Sequence, residues 1–189
     1  RARRRCDACV RYREGSFEKQ GGIDMETVTV GSIMERDAYS CSAQATLKDV
    51  TKSLIDRGVS SLPVVDDDNH VVGFISDGDI MRAIAEHKTR SIFSGGAPTM
   101  LYYDDETIEQ KVLSLRERNV MELATRKVLC VTENQSVGRV ADTLAKKKFK
   151  KLPVIDEHGR LVGVIRRSSI MRYAFELLFH DNENKKQDE

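Results

Sequence analysis

A segment of this chain is written twice in unbroken register, and a fold must accommodate both copies as like units. Val59-Ser-Ser-Leu-Pro-Val-Val-Asp66 returns as Phe149-Lys-Lys-Leu-Pro-Val-Ile-Asp156, an offset of 90 positions. The offset holds without a gap: Gly73 maps to Gly163, Ile75 to Ile165, and Ile80-Met81-Arg82 to Ile170-Met171-Arg172. Upstream, Val50 maps to Val140 and Leu54 to Leu144.

Each copy carries the same succession of patterns. Leu47, Val50, Leu54 and Ile55 fall at helical spacing within 46–57, behind Thr46 with Asp49 three residues on as a capping box. Short β-branched runs at 62–65 and 71–75 predict strands joined by the polar turn 66–70, and a second helix follows over 77–86. The second copy predicts a helix over 136–147, strands over 152–155 and 161–165, and a helix over 168–178. Between the copies, the loop Ser94-Gly-Gly-Ala-Pro98 breaks the chain and Thr107-Ile-Glu-Gln110 opens a helix with Ile108, Val112, Leu113 and Leu115 on one face.

The pattern of helix, Leu-Pro-Val-h-Asp and Val-Gly-h-Ile closely resembles a CBS motif, and two in tandem resemble the CBS pair, or Bateman module. The resemblance covers roughly 29–88 and 121–178. It implies an α/β (α+β) fold of two β-α-β-β-α motifs packed about a pseudo-two-fold axis. The organisation expected is a basic arm at 1–28, the first motif at 29–88, an inserted loop and helix at 89–120, the second motif at 121–178, and a disordered polar tail at 179–189. The family binds adenosine-containing ligands (AMP, ADP, ATP or S-adenosylmethionine) in clefts between the motifs. Its members act as allosteric modules of attached proteins and usually pair into homodimers, which implies a regulated domain lying outside this chain.

The family's ribose-phosphate signature is a Ser/Thr, two residues, then Asp at a strand-to-helix turn, here Ser76-Asp-Gly-Asp79. Free amides at a helix N-terminus attract phosphate, and the Ser76 hydroxyl adds a donor. The Asp79 carboxylate can accept both hydroxyls of a ribose, and Gly78 permits close backbone approach. By analogy the adenine lies against Pro63 and Ser61, near Cys41. The same Ser76 and Asp79 also make an ordinary capping box, and one carboxylate cannot fill both roles at once.

The second copy departs from the signature with Arg166-Arg-Ser-Ser169, leaving no carboxylate at the ribose position. Arg166, Arg167, Ser168 and Ser169, with Lys150 and Lys151 before the strand, make an anion-friendly set at a helix N-terminus. They supply a second cleft or phosphate contact, or form a solvated basic face.

Nothing proposes catalysis. No catalytic residue is assigned, and the four histidines show no metal-ligand spacing, so no metal site is expected beyond Mg2+ accompanying a nucleotide. Asp66-Asp67-Asp68 reads as a solvated turn. The lone pair Cys6 and Cys9 lacks the second pair a zinc ribbon needs. Cys41 and Cys130 hold neighbouring places in the two copies and read as small buried residues. Four cysteines at these spacings suit a reducing, cytoplasmic setting rather than a disulfide scaffold. Lys+Arg 31 against Asp+Glu 30 argues against a nucleic-acid partner, and no run of about 18 apolar residues spans a membrane. The Arg-rich residues 1–13, in a chain beginning at Arg1, fit the cytoplasmic side of a membrane protein, as in some CBS pairs, or an exposed helix start. Phe93, Tyr102 and Tyr103 in the insertion are candidates for contact with a partner domain or a second copy.

Overall fold

Thr46 starts the first repeat as expected: its hydroxyl accepts from the Asp49 amide, Asp49 bonds back, and helix α2 (Leu47–Asp56) follows with Leu47, Val50 and Leu54 buried. The chain then forms strands β3 (Ser61–Val65) and β4 (Val71–Ser76) and helix α3 (Asp77–Ala85). With the short β2 (Cys41–Ser42) ahead of α2, the order is β-α-β-β-α. The second repeat gives β7 (Val128–Thr132), α5 (Val137–Lys147), β8 (Lys151–Ile155), β9 (Leu161–Arg166) and α6 (Arg167–Asn184). The computed structural model describes residues 9–11, 28–86, 89–94, 97–102, 106–147 and 149–184, and side chains at 28–86, 106–147 and 149–179.

In each repeat the first strand pairs parallel with the second, and the second antiparallel with the third. Strand β1 (Cys9–Arg11) adds to the second sheet beside β7, giving the order β1-β7-β8-β9. All five residues of β3 are buried, which is why that run is continuously apolar rather than alternating. Both turns are made alike. Asp66 Oδ1 accepts from the Asp68 and His70 amides, and Asp156 Oδ1 from those of His158 and Arg160. Asn69 and Gly159, again 90 apart, hold the left-handed position.

The two repeats exchange segments. Residues 28–36, which precede the first repeat's own strand, run across to the second. Val30 N donates to Gln135 O at 2.8 Å, Val137 N to Val28 O at 2.9 Å, and Glu35 and Val164 exchange both backbone bonds. Here α1 (Val30–Ile33) places Val30 among Val131, Val140, Leu152 and Ile165 in the second core. Residues 118–125 return the contact. Val120 N donates to Ala45 O at 2.9 Å, Leu47 N to Arg118 O at 2.9 Å, and Thr125 and Phe74 exchange both bonds. The 3-10 turn Val120–Glu122 thereby brings Val120 into the first core, with Val50, Leu62, Val64 and Ile75. Each of these bonds has its counterpart shifted by 90 positions in the other set. Between the sheets, Val65, Val71, Val128, Cys130 and Ile155 form a third cluster that joins the repeats.

Four sequence expectations are corrected here. The inter-repeat break is a hairpin of β5 (Thr89–Ser94) and β6 (Ala97–Tyr102), followed by α4 (Ile108–Leu115) behind its Thr107 cap. The last helix does not stop at 178 but reaches Asn184, since Phe175, Leu178 and Phe179 leave no break in the pattern. Part of the basic arm, 9–11, is strand β1. Cys130 is buried as expected, yet it is disulfide-bonded, with its partner outside the described side chains. The side chains of Cys6, Cys9, Phe93, Tyr102 and Tyr103 also lie outside the described residues.

The exchange explains a glycine. A Cβ on Gly163 would lie 2.6 Å from the Glu35 carbonyl oxygen, and one on Gly73 would come no closer than 3.2 Å, to the flexible Met121 sulfur. Gly163→Ala is therefore expected to destabilise by about 1–3 kcal/mol and Gly73→Ala by clearly less, as read from chemical denaturation midpoints.

Candidate functional site

Each repeat ends its third strand at a helix N-terminus, and these two ends carry opposite charge. At the first, Ser61 pairs with Ser76 across β3 and β4, and Pro63 with Phe74. Cys41 lies on the neighbouring strand opposite Val64, its thiol 3.7 Å from the Pro63 carbonyl. Burial pushes that thiol up to about 11, so it is neutral at physiological pH and is no nucleophile. The structure thus places Ser61, Ser76, Gly78 and Asp79 at one end of this sheet, with Pro63 in the middle of β3 and Cys41 beside Val64, further along.

Asp79 is occupied. Its Oδ2 accepts from the Ser76 amide at 2.8 Å and the Ser76 hydroxyl at 2.6 Å, and Oδ1 meets Arg82. The Asp79 amide donates back to Ser76 Oγ at 3.3 Å, completing a capping box. Gly78 N donates to Asp77 Oδ1 at 2.6 Å, and a Cβ at Gly78 would meet only ordinary contacts. The geometry therefore shows the cap; a ribose would have to share Asp79 with Ser76 or take the place of the exposed Arg82 at Oδ1.

At the second end, a cleft of about 360 Å³ opens between the repeats. Gly58, Val59 and Ser60 line it from the first repeat, and Lys150, Lys151, Arg166, Arg167 and Ser168 from the second. A neighbouring cleft of about 300 Å³ shares Ser168 and adds Ser32, Glu35, Ser169, Arg172 and Tyr173. Neither is lined by the Cys41–Asp79 set. Sequence reasoning missed Gly58–Ser60, Glu35 and Tyr173, because only the exchange and the pseudo-axis bring them here. Arg172 alone was legible, one helical turn beyond Ser168.

The four cations are held differently. Arg167 donates from Nε to Phe149 O and from Nη2 to Leu144 O, both at 2.7 Å, and so binds the end of α5 rather than facing solvent freely. Arg166 pairs with Glu35 at 2.8 Å, while its Nε is buried without a partner. Lys151 reaches across to donate to the Ser61 carbonyl, and its ammonium lies 6.0 Å from the centre of the Phe74 ring. Lys150 is exposed. Burial, then the Arg166 charge, lower Lys151 to about 8, with Glu35 opposing. Among the described residues, no three His, Cys, Asp or Glu gather as a metal site, and no helix is long and apolar enough to cross a membrane.

Comparison with known proteins gives the same architecture. The model of the CBS domain family matches residues 30–86 and 120–176. The chloroplast CBS domain-containing protein CBSX2 of Arabidopsis thaliana is 30% identical over 168 residues, covering 84% of this chain and 66% of that protein. The chain spans just under two thirds of the length of the two curated Arabidopsis relatives it matches, CBSX1 and CBSX2. A crystal structure of CBSX2 in complex with AMP superposes with a TM-score of 0.61 at 24% identity, covering 79% of this chain and 98% of that one. The CBS domain pair of protein MJ0100, solved with 5'-methylthioadenosine and S-adenosyl-L-methionine, gives 0.59 at 22%, with 79% and 97% covered.

Two outcomes are expected from the geometry. Asp79→Ala removes the α3 cap and costs about 1 kcal/mol without any ligand, whereas Asp79→Asn keeps most of it, as read by urea denaturation. Lys151 holds its proton less tightly folded than unfolded. Below pH 8 both states are protonated and the folded chain bears the whole cost of burying the ammonium. As pH rises from about 8 towards 10.5 the folded state sheds that proton first, so stability rises. Lys151→Met is expected to flatten this rise in a pH series of denaturation curves.

Proposed function

We propose, from the premise that this chain belongs to the CBS domain family, that it is a regulatory module rather than an enzyme. It binds an adenine nucleotide (AMP, ADP or ATP, with Mg2+ as companion of the phosphates, or S-adenosylmethionine) between the motifs and so controls an attached domain. The supporting observation is the clefted junction itself. The N-terminus of α6 and the adjoining ends of β8 and β9 meet residues 58–60 of the first motif there, so a ligand touches both motifs at once. That junction suits a sensor, because a ligand shifts the motifs only through different contacts in two arrangements. The solved relatives carrying AMP, or methylthioadenosine and S-adenosylmethionine, support the ligand class.

In this reading Ser76, Gly78 and Asp79 receive the ribose and phosphate, and Ser61, Pro63 and Cys41 flank the base. Binding shares Asp79: a ribose hydroxyl meets Oδ1 in competition with the exposed Arg82, while Oδ2 keeps its Ser76 bonds. A cytoplasmic location, attachment to a membrane protein and a homodimer belong to the same proposal. The exposed Met81, Met171, Phe175 and Leu178 on α3 and α6 suit a homodimer face.

The satisfied Asp79 cap favours one second reading, a dimerisation module whose clefts hold nothing. Calorimetric titration with AMP, ADP, ATP and S-adenosylmethionine decides between them. The sensor reading expects one of these to bind, and both Asp79→Ala and Asp79→Asn to weaken it by at least tenfold. Binding by none at millimolar concentration, with a dimer by light scattering, establishes the second reading.

A further inference from the structure

The second sheet carries something that the first sheet lacks. Strand β1 lies parallel to β7, with Cys9 beside Val128, Val10 beside Leu129 and Arg11 beside Cys130. Shifted by 90, residues 128–130 become 38–40, which have no strand beside them among the described residues and form none themselves. Accordingly β2 holds two residues where β7 holds five. The first repeat therefore displays what the start of β7 becomes without its added strand. Val128 and Cys130 also belong to the cluster that joins the repeats, with Val65, Val71 and Ile155. Neither cleft is lined by these residues, so a change at this edge reaches the junction by its own route.

A three-residue strand is too short to stay on a sheet edge by its backbone bonds alone. A covalent tie supplies the rest. Cys130 is disulfide-bonded and 1% exposed. The sequence holds four cysteines and Cys41 is a free thiol, so Cys130 is bonded to Cys6 or Cys9. Either one fastens the segment bearing β1 to β7. The other is an odd thiol in the string Cys6-Asp-Ala-Cys9, a spacing that itself closes into a disulfide. Arg3, Arg4, Arg5, Arg11 and Arg13 surround the pair in sequence and favour the thiolate, which is the attacking species.

We propose that the Cys6–Cys9 pair and Cys130 form a redox latch, which holds β1 on the second sheet while Cys130 is bonded and frees it by thiol–disulfide exchange. In the exchange, the unbonded cysteine of the pair loses its proton and attacks the sulfur of its neighbour. The Cys6–Cys9 bond forms as the bond to Cys130 breaks, and Cys130 leaves with the electron pair and takes up a proton. Nothing is oxidised or reduced overall in this step. A dithiol reductant then opens the Cys6–Cys9 bond, giving up two electrons and two protons and becoming a disulfide itself. The freed Cys130 stays in the core as a small apolar thiol. Residues 128–130 lose their outer partner and take the unpaired state of 38–40, which loosens the junction between the repeats. The latch uses neither cleft and stands whether or not a nucleotide binds.

The test follows the air-oxidised whole chain through a titration with dithiothreitol, mapping disulfides by mass spectrometry after acid quenching and measuring amide hydrogen exchange in parallel. The oxidised chain should carry Cys130 joined to Cys6 or Cys9. A species with a Cys6–Cys9 bond and a free Cys130 should rise and fall before all three thiols appear. Exchange at 128–130 should quicken about tenfold or more as the latch opens, towards that of 38–40. The double variant Cys6→Ser with Cys9→Ser leaves Cys130 in its core and should exchange at the fast rate with or without dithiothreitol. Its exchange at Val140 and Leu144 should match the wild type, which reports an intact second core. Three results overturn the proposal: Cys130 recovered as a thiol from the air-oxidised chain; complete reduction with no Cys6–Cys9 species at any dithiothreitol concentration; or equal protection of 128–130 with and without the disulfide.

Discussion

The structure depends on an exchange of backbone between its two halves. Residues 28–36 complete the second core and residues 118–125 complete the first, through matched sets of main-chain hydrogen bonds. Without the borrowed Val30 or Val120, each sheet would expose the face that these side chains bury. The same crossing sets where clefts can exist. It lays Ser32–Glu35 over the start of α6, and it demands glycine at 163, where the crossing strand passes closest. Geometry at the ligand-facing end is thus a by-product of how the cores are closed.

Within that symmetrical frame the side chains are not symmetrical. Ser61 and Lys151 occupy equivalent places, yet one offers a buried carbonyl and the other reaches over to it. Ser76 and Asp79 close a cap on themselves, whereas Arg166 and Arg167, at the positions of Ser76 and Asp77, reach outward to Glu35, Leu144 and Phe149. Two helix N-termini that began alike have become one neutralised by its own acid and one reinforced by cations. A ligand meeting both would be oriented by that difference, since anionic and polyhydroxylic parts have different partners at the two ends.

Much of this was readable beforehand because it is local. The Thr46 and Thr107 caps, the Asp66 and Asp156 turns, and the helix and strand order within each repeat follow from residues a few places apart. What the sequence left dark was everything set by distant contact. Periodicity assigns 28–36 to the copy it precedes and has no means of sending it to the other. The Glu35–Arg166 pair spans more than a hundred positions, and nothing in the residues around Cys130 marks it as disulfide-bonded. The capping and ribose roles of Asp79 were both visible as options; coordinates show the cap, because the nearest acceptor and donor are its own neighbours. The β5–β6 hairpin escaped notice because the Gly-rich stretch between its strands reads equally as an open loop.

Exchanged segments also change what the connection between the repeats has to accomplish. The stretch between the first motif and residue 118 joins halves that are already interlocked, so its task is to keep them at high effective concentration. A half-chain would carry its neighbour's missing piece and lack its own. Such a half is complete only beside another half, and two identical halves could satisfy each other by swapping the same segment between molecules. The duplicated chain can be understood as that swapped pair made covalent. Once joined, the halves no longer had to be identical, and one end was free to become acidic while the other became basic.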